Sequence, residues 1–215
     1  GNYMRVIDGP TTATLLPYPA LINALDEAFA KGDAAATAPH RLHYSVPEPA
    51  SEDQPNQADR TLLIMPSWAQ DAGVVVKLVN VVPSNSARSL AAIQAQVLVA
   101  DAQTGSWSTL IDGATLTARR TAAASALAAR YLAPVDAQTL LVVGTGRLSL
   151  ELVQAHMSVR PSINRVLIWG RDPAKAAAIA SEVEGAKAVS DLQQACSQAD
   201  VISCCTLSNQ ALAKG

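Results

Sequence analysis

A short apolar run leads straight into a glycine turn and then a helix: Leu140-Leu141-Val142-Val143-Gly144-Thr145-Gly146-Arg147-Leu148-Ser149. No other stretch constrains the fold of this chain as much. An apolar run of this length bounded by glycine suits a strand buried on both faces, the kind found in parallel sheets. The first glycine permits a tight turn. The second lets the backbone approach a pyrophosphate, which then rests against the unpaired N–H groups of the helix N-terminus. Ser149 holds the third position of the G-x-G-x-x-G pattern, where Gly or Ala is usual. The motif therefore marks a dinucleotide-binding half-domain beginning near Thr139, with Gly144, Thr145, Gly146, Arg147 and Leu148 facing the cofactor.

The rest of the second half repeats that grammar. Strands are expected at Thr139–Val143, Arg165–Trp169, Ala186–Val189 and Val201–Cys205, and helices at about Arg147–Ser158, Pro173–Val183 and Asp191–Gln198. Such alternation implies a parallel sheet covered by helices, a Rossmann-type doubly wound α/β fold. An alanine-rich helix precedes it from Thr115 to Leu132, stopped before Pro134. Before Asp112 the chain has a different character. A helix from about Pro19 to Lys31 carries Leu21, Ile22, Leu25, Ala28 and Phe29 on one stripe, and Gly32 stops it. Extended runs follow at Arg41–Val46, Thr61–Pro66, Val74–Val82, Ala95–Asp101 and Trp107–Ile111. A polar loop, Pro47–Asp59, joins the first two, and Ala102-Gln103-Thr104-Gly105 joins the last two as a hairpin. Residues 1–113 are thus expected to form an α+β domain on an antiparallel or mixed sheet, and residues 114–215 the dinucleotide-binding domain.

The residues after the second strand of the α/β half bear on which dinucleotide fits. An NAD site places Asp or Glu there to hold the ribose 2′-hydroxyl. This chain instead reads Trp169-Gly170-Arg171-Asp172. Gly170 leaves room, the planar fork of Arg171 suits a 2′-phosphate, and Lys175 adds charge one helical turn on. Asp172, followed by Pro173, reads as a helix cap. NADP(H) is therefore expected in preference to NAD(H).

Other candidates are cationic. Arg119 and Arg120 fall in the first turns of the alanine-rich helix, where each cation opposes the helix dipole by about 0.3–1 kcal/mol. They point to an anion nearby, either substrate carboxylate or cofactor phosphate. The other reading, a solvated arginine with its partner elsewhere, fits Arg119 better than Arg120, and spacing alone does not separate the two. Lys77 shares a strand face with Val75, Val79 and Val81. Such a lysine is desolvated and can donate a proton or pair with a carboxylate, or it can guard a sheet edge. Arg41, His40, His43 and His156 are ambiguous by residue type alone. A net charge of −2 gives no argument for nucleic acid or an anionic membrane, and no apolar run is long enough to span a bilayer. Cys196, Cys204 and Cys205 have neither zinc-ligand nor C-x-x-C spacing and read as reduced thiols in the cytoplasm.

Together these segments resemble the ornithine cyclodeaminase/μ-crystallin family. The resemblance rests on Pro39-x-Arg41, Val76-Lys77-Leu78, Ala102-x-Thr104-Gly105, Thr117-Ala118-Arg119-Arg120-Thr121-Ala122-Ala123, Gly144-Thr145-Gly146, Trp169-Gly170-Arg171 and Ala199-Asp200-Val201-Ile202. It implies a homodimer with an N-terminal substrate and dimerisation domain beside the Rossmann domain. It also implies that Arg41, Lys77 and Arg120 surround a substrate carboxylate, Arg120 near the cofactor as well. Thr206 and Leu207 would line the nicotinamide side. Members with an arginine after the second strand resemble NADPH-dependent reductases of cyclic ketimines such as Δ1-pyrroline-2-carboxylate and Δ1-piperideine-2-carboxylate. NAD-dependent cyclodeaminases and non-catalytic μ-crystallin-like binders of NADPH or a small ligand are the alternatives. Family members continue well past this point, so the chain is expected to lack their C-terminal part, including a position that carries a catalytic aspartate in cyclodeaminases.

Overall fold

The computed structural model describes residues 3–49, 59–206, 208 and 210–213 of the 215-residue chain, together forming two compact units. The first comprises the chain up to Leu15 together with Ala28–Thr117, and the second comprises Leu16–Glu27 together with everything from Ala118 onward. Two helices, α2 (Tyr18–Lys31) and α3 (Gly113–Leu132), each divide between them.

The first unit contains β1 (Arg5–Ile7), α1 (Gly9–Leu15), β2 (Leu42–Val46), β3 (Arg60–Ala69), β4 (Gly73–Val81), β5 (Ile93–Ala100) and β6 (Trp107–Asp112). Its six strands lie in the order β1-β6-β5-β4-β3-β2. Strand β1 runs parallel to β6 and every other pair is antiparallel, which makes the sheet mixed. Val79, Ala95, Val97 and Ala100 are its buried apolar residues on β4 and β5. The hairpin before β6 closes on Asp101, whose Oδ1 accepts from the backbone N–H groups of Gln103 and Thr104.

Strand β3 runs past Pro66, where the alternation expected an end. Its partner β2 pairs with residues up to Ile64. Beyond that point β3 has β4 on one flank and a single bridge, Thr37 to Trp68, on the other. A proline, which donates no ladder hydrogen bond, is tolerated on such a flank. Strand β1 was not anticipated, because three residues are too few to display a period.

The second unit is built on β7 (Thr139–Val143), β8 (Arg165–Trp169), β9 (Ala186–Val189) and β10 (Val201–Cys204), all parallel in the order β10-β7-β8-β9. Every residue of β7 is buried, as its unbroken apolar run requires. One face of the sheet packs Leu140, Val142, Val166 and Ile168 against Ala122, Ala123 and Ala126 of α3 and Leu152 and Val153 of α4 (Leu148–Val159). Ala176 and Ala180 of α5 (Pro173–Ala180) join the same cluster. The other face packs Leu141, Val143 and Leu167 against Ala195 of α6 (Leu192–Gln198). The alanines of α3 let that helix lie close to the strands.

Helix α2 explains why the units are not contiguous in sequence. Tyr18 and Ile22 belong to the same core cluster as β7 and α3, so Leu16–Glu27 groups with the second unit rather than with the segments before residue 114. The stripe read from periodicity holds at Ile22 and fails at Phe29, which is 67% exposed and lies past the point where the helix leaves that cluster.

Candidate functional site

Two concavities hold most of the residues singled out by the sequence. The first, a cleft of about 290 Å³, lies in the second unit at the C-terminal ends of β7, β8 and β10, where ligands bind in open parallel α/β sheets. Gly144, Thr145 and Gly146 form one wall, and Gly170, Arg171 and Lys175 another. Thr206 lines it as well, and Leu207 lies outside the described residues. Trp169, Asp172, Cys205, Ser208 and Leu212 complete the lining.

The turn is built for close approach by a ligand. Gly144 has φ +134°, a backbone that side-chain-bearing residues rarely adopt, and a Cβ there would stand 2.7 Å from Cys205 Sγ. Gly146 is exposed, and a Cβ on it would meet nothing within 4 Å, so open space faces its backbone. Helix α4 starts immediately after, and the side chain at its N-cap position, Arg147, makes no capping hydrogen bond. The first-turn N–H groups are thus not capped by that side chain and suit a pyrophosphate. A dinucleotide fits these features. Arg147 and Leu148 do not line the cleft itself; Arg147 is exposed and Leu148 half-buried and packed on the core.

At the second wall, Arg171 and Lys175 are exposed cations. Asp172 between them is the N-cap of α5, its Oδ1 accepting from Ala174 N and Lys175 N at 3.0 and 3.4 Å. Trp169 is anchored by its indole N–H, which donates to Ser190 O at 3.1 Å.

The second concavity, about 460 Å³, lies in the first unit. Arg41 and Lys77 line it together, with His40 and Ser67 as further polar groups and Met65, Val75, Val97 and Leu116 among the apolar ones. Lys77 is half-buried on the face of β4 that also carries Val75. An exposed guanidinium and a half-buried ammonium group beside apolar walls suit a small carboxylate with a hydrocarbon body. His40, which residue type alone left undecided, gains a place here only because the sheet brings β4 beside it.

The arginine pair on α3 divides sharply. Arg120 is exposed in the second unit and lines neither concavity. Arg119, read as the better fit to a solvated arginine with its partner elsewhere, does have a distant partner but is 8% exposed. Its guanidinium donates to Leu16 O at 2.9 and 2.7 Å and to Glu151 at 3.1 Å, and it lies 4.1 Å over the Tyr18 ring. Tyr18 also donates to Glu151. A partner on another helix, invisible in the local sequence, gives this cation an interior position.

Among the described residues, no helix is long and apolar enough to cross a membrane, and no group of three His, Cys, Asp or Glu residues could hold a metal ion.

Comparison with known proteins adds to this geometry. An uncharacterized protein of Schizosaccharomyces pombe is 39% identical over 214 residues, covering 95% of this chain and 62% of that protein. A Δ1-pyrroline-2-carboxylate/Δ1-piperideine-2-carboxylate reductase of Azospirillum brasilense is 38% identical over 174 residues, covering 80% of this chain and 52% of the reductase. The Δ1-pyrroline-2-carboxylate reductase of Thermococcus litoralis, solved in complex with NADH and L-proline, superposes with a TM-score of 0.78 at 26% identity. That match covers 94% of this chain and 61% of the other. The chain therefore spans about half to three fifths of the length of these relatives. Residues 14–214, almost the whole chain, match the ornithine cyclodeaminase/mu-crystallin family, and the chain belongs to that family.

Proposed function

We propose that this chain serves the NADPH-dependent reduction of a cyclic ketimine carboxylate, Δ1-pyrroline-2-carboxylate or Δ1-piperideine-2-carboxylate, to the cyclic amino acid. One observation carries the reading. Arg171 and Lys175 line the cleft beside the glycine turn, with Gly170 in place of the acid an NAD site would use, and this supports a 2′-phosphate there. The relatives' reaction supports the substrate class.

The nicotinamide cofactor supplies a hydride for the C=N carbon when bound. The chain's own residues do the rest. Gly144, Thr145 and Gly146 admit the pyrophosphate, and Arg171 and Lys175 hold the 2′-phosphate. Arg41, beside Lys77 in the first unit's cavity, binds the substrate carboxylate. Lys77 holds a proton at the imine nitrogen, so that the carbon is electrophilic as an iminium and the product nitrogen leaves with that proton. Val75, Val97 and Met65 exclude water around the unsubstituted ring carbons. The first unit also serves dimerisation, for which the exposed Leu42, Tyr44, Trp68 and Trp107 on its strands are suited.

The experiment is a fluorescence titration of NADPH and NADH on the wild type and on Arg171→Ala. Tighter NADPH binding that weakens about tenfold or more in the variant, with NADH little changed, is the expected outcome. Equal binding of the two cofactors by the wild type would overturn the 2′-phosphate assignment.

A further inference from the structure

We infer that Thr145 determines which dinucleotide this cleft accepts, by holding position 170 to glycine. The inference rests on the NADP(H) reading of the cleft and adds a residue from a different element to it.

Gly170 does not owe its identity to its backbone, since it is not among the glycines with positive φ. What requires glycine is a contact. A Cβ at position 170 would stand 2.4 Å from Thr145 Cγ2 and 3.2 Å from Thr145 Oγ1, but 3.4 Å from Thr145 Cβ. Both Thr145 branch atoms therefore crowd the space through which a side chain would leave Gly170, while the Thr145 Cβ alone would make an ordinary contact. The backbone of Thr145 has little freedom to retreat. Strands β7 and β8 are in register up to Val143 and Trp169, and Gly144 N donates to Trp169 O at 2.8 Å, which fixes the turn against the chain leaving β8.

The consequence concerns selectivity. An aspartate at position 170 would hydrogen-bond the ribose hydroxyls of NAD and repel a 2′-phosphate. Thr145 forecloses that residue, so the cleft is left with the cations that follow, Arg171 and Lys175. The pair Thr145 and Gly170, rather than Gly170 alone, excludes the NAD type of site.

The test crosses Gly170→Asp with Thr145→Ala, which removes Cγ2 and Oγ1 and leaves Cβ. NADPH and NADH affinities are read for wild type, T145A, G170D and T145A/G170D. In the wild-type background G170D is expected to weaken both cofactors. In the T145A background the same aspartate is expected to bind NADH at least about tenfold more tightly than G170D does and to reverse the preference. A G170D single variant that binds NADH as well as the double variant would overturn the proposal, as would a double variant with no gain. Should the aspartate variants fold poorly, thermal unfolding without cofactor reads the same contact. G170A should lower Tm in the wild-type background and do so much less in T145A; an equal loss in both would overturn it. Failure of the underlying NADP(H) reading shows separately, as absence of an Arg171→Ala effect on NADPH.

Discussion

The hydroxyl of Ser149 donates a 2.8 Å hydrogen bond to the carbonyl oxygen of Gly144, tying the third position of the glycine motif back to the first. Ser149 is fully buried, and Cys205 Sγ lies 3.7 Å from its oxygen. The departure from Gly or Ala at this position is therefore accommodated without an unpaired hydroxyl, and the serine adds a tether to the turn that the usual residues lack.

Ser149→Ala should cost about 1 kcal/mol, the net value of one buried hydrogen bond whose acceptor is left behind. Urea unfolding of the two proteins checks this. A cost near zero would mean that the tether does not hold the turn in solution.

His156 sits on α4, 3% exposed, with Nε2 at 3.1 Å from Ser125 Oγ and no partner at Nδ1. Burial pushes its pKa down from 6.5 to about 4. Above pH 6.5 the ring is neutral in folded and unfolded chains alike. Between 6.5 and 4 only the unfolded chain takes up the proton, so stability falls as pH falls and the contribution is exhausted below about 4. The loss is on the order of 3 kcal/mol across that window. In a series of Tm measurements against pH, His156→Gln should flatten this descent relative to wild type. Parallel curves would contradict it.

Arg119 joins the chain just before α2, through Leu16 O, to α4, through Glu151. Arg119→Ala takes this donor from Leu16 O and leaves the Glu151 carboxylate with Tyr18 but no cation, and should destabilise by about 2–4 kcal/mol. Glu151→Gln keeps an acceptor and should cost less. Both effects belong to unfolding experiments, and a neutral Arg119→Ala would show that the network contributes no net stability.

Much of the second unit was legible because its signals are local. The apolar run of β7, the glycine turn, and the Asp172-Pro173 start of α5 each declare themselves within a few residues. What escaped depends on segments far apart in sequence. Trp169 and Leu212 line the cleft only because β8 and the stretch after β10 end beside each other, and His40 lines the other cavity only because the sheet places it near Lys77. The burial of Arg119 follows from Glu151 and Leu16, on other elements. Gly170 was visible as a missing acid and Thr145 as part of the glycine turn, but the contact between the two positions was not. Periodicity cannot tell where a helix passes from one core to another, which is why the stripe on α2 overran to Phe29.

Lys77 and Arg41 share a cavity and should separate kinetically. Lys77→Met is expected to lower kcat by about 10²-fold or more, because the imine nitrogen loses its proton partner. Arg41→Ala should act mainly on KM, because it removes binding of the carboxylate without touching the reacting bond. Steady-state kinetics on both variants reads the split. Equal effects on the same parameter would contradict the division of roles.

The most direct measurement is oxidation of NADPH by the purified protein in the presence of Δ1-pyrroline-2-carboxylate, with NADH in parallel and proline as the product assayed. Turnover to proline that prefers NADPH and collapses in Lys77→Met is the predicted result. Release of ammonia from ornithine with NAD+, or tight NADPH binding with no turnover of any cyclic ketimine, would contradict it.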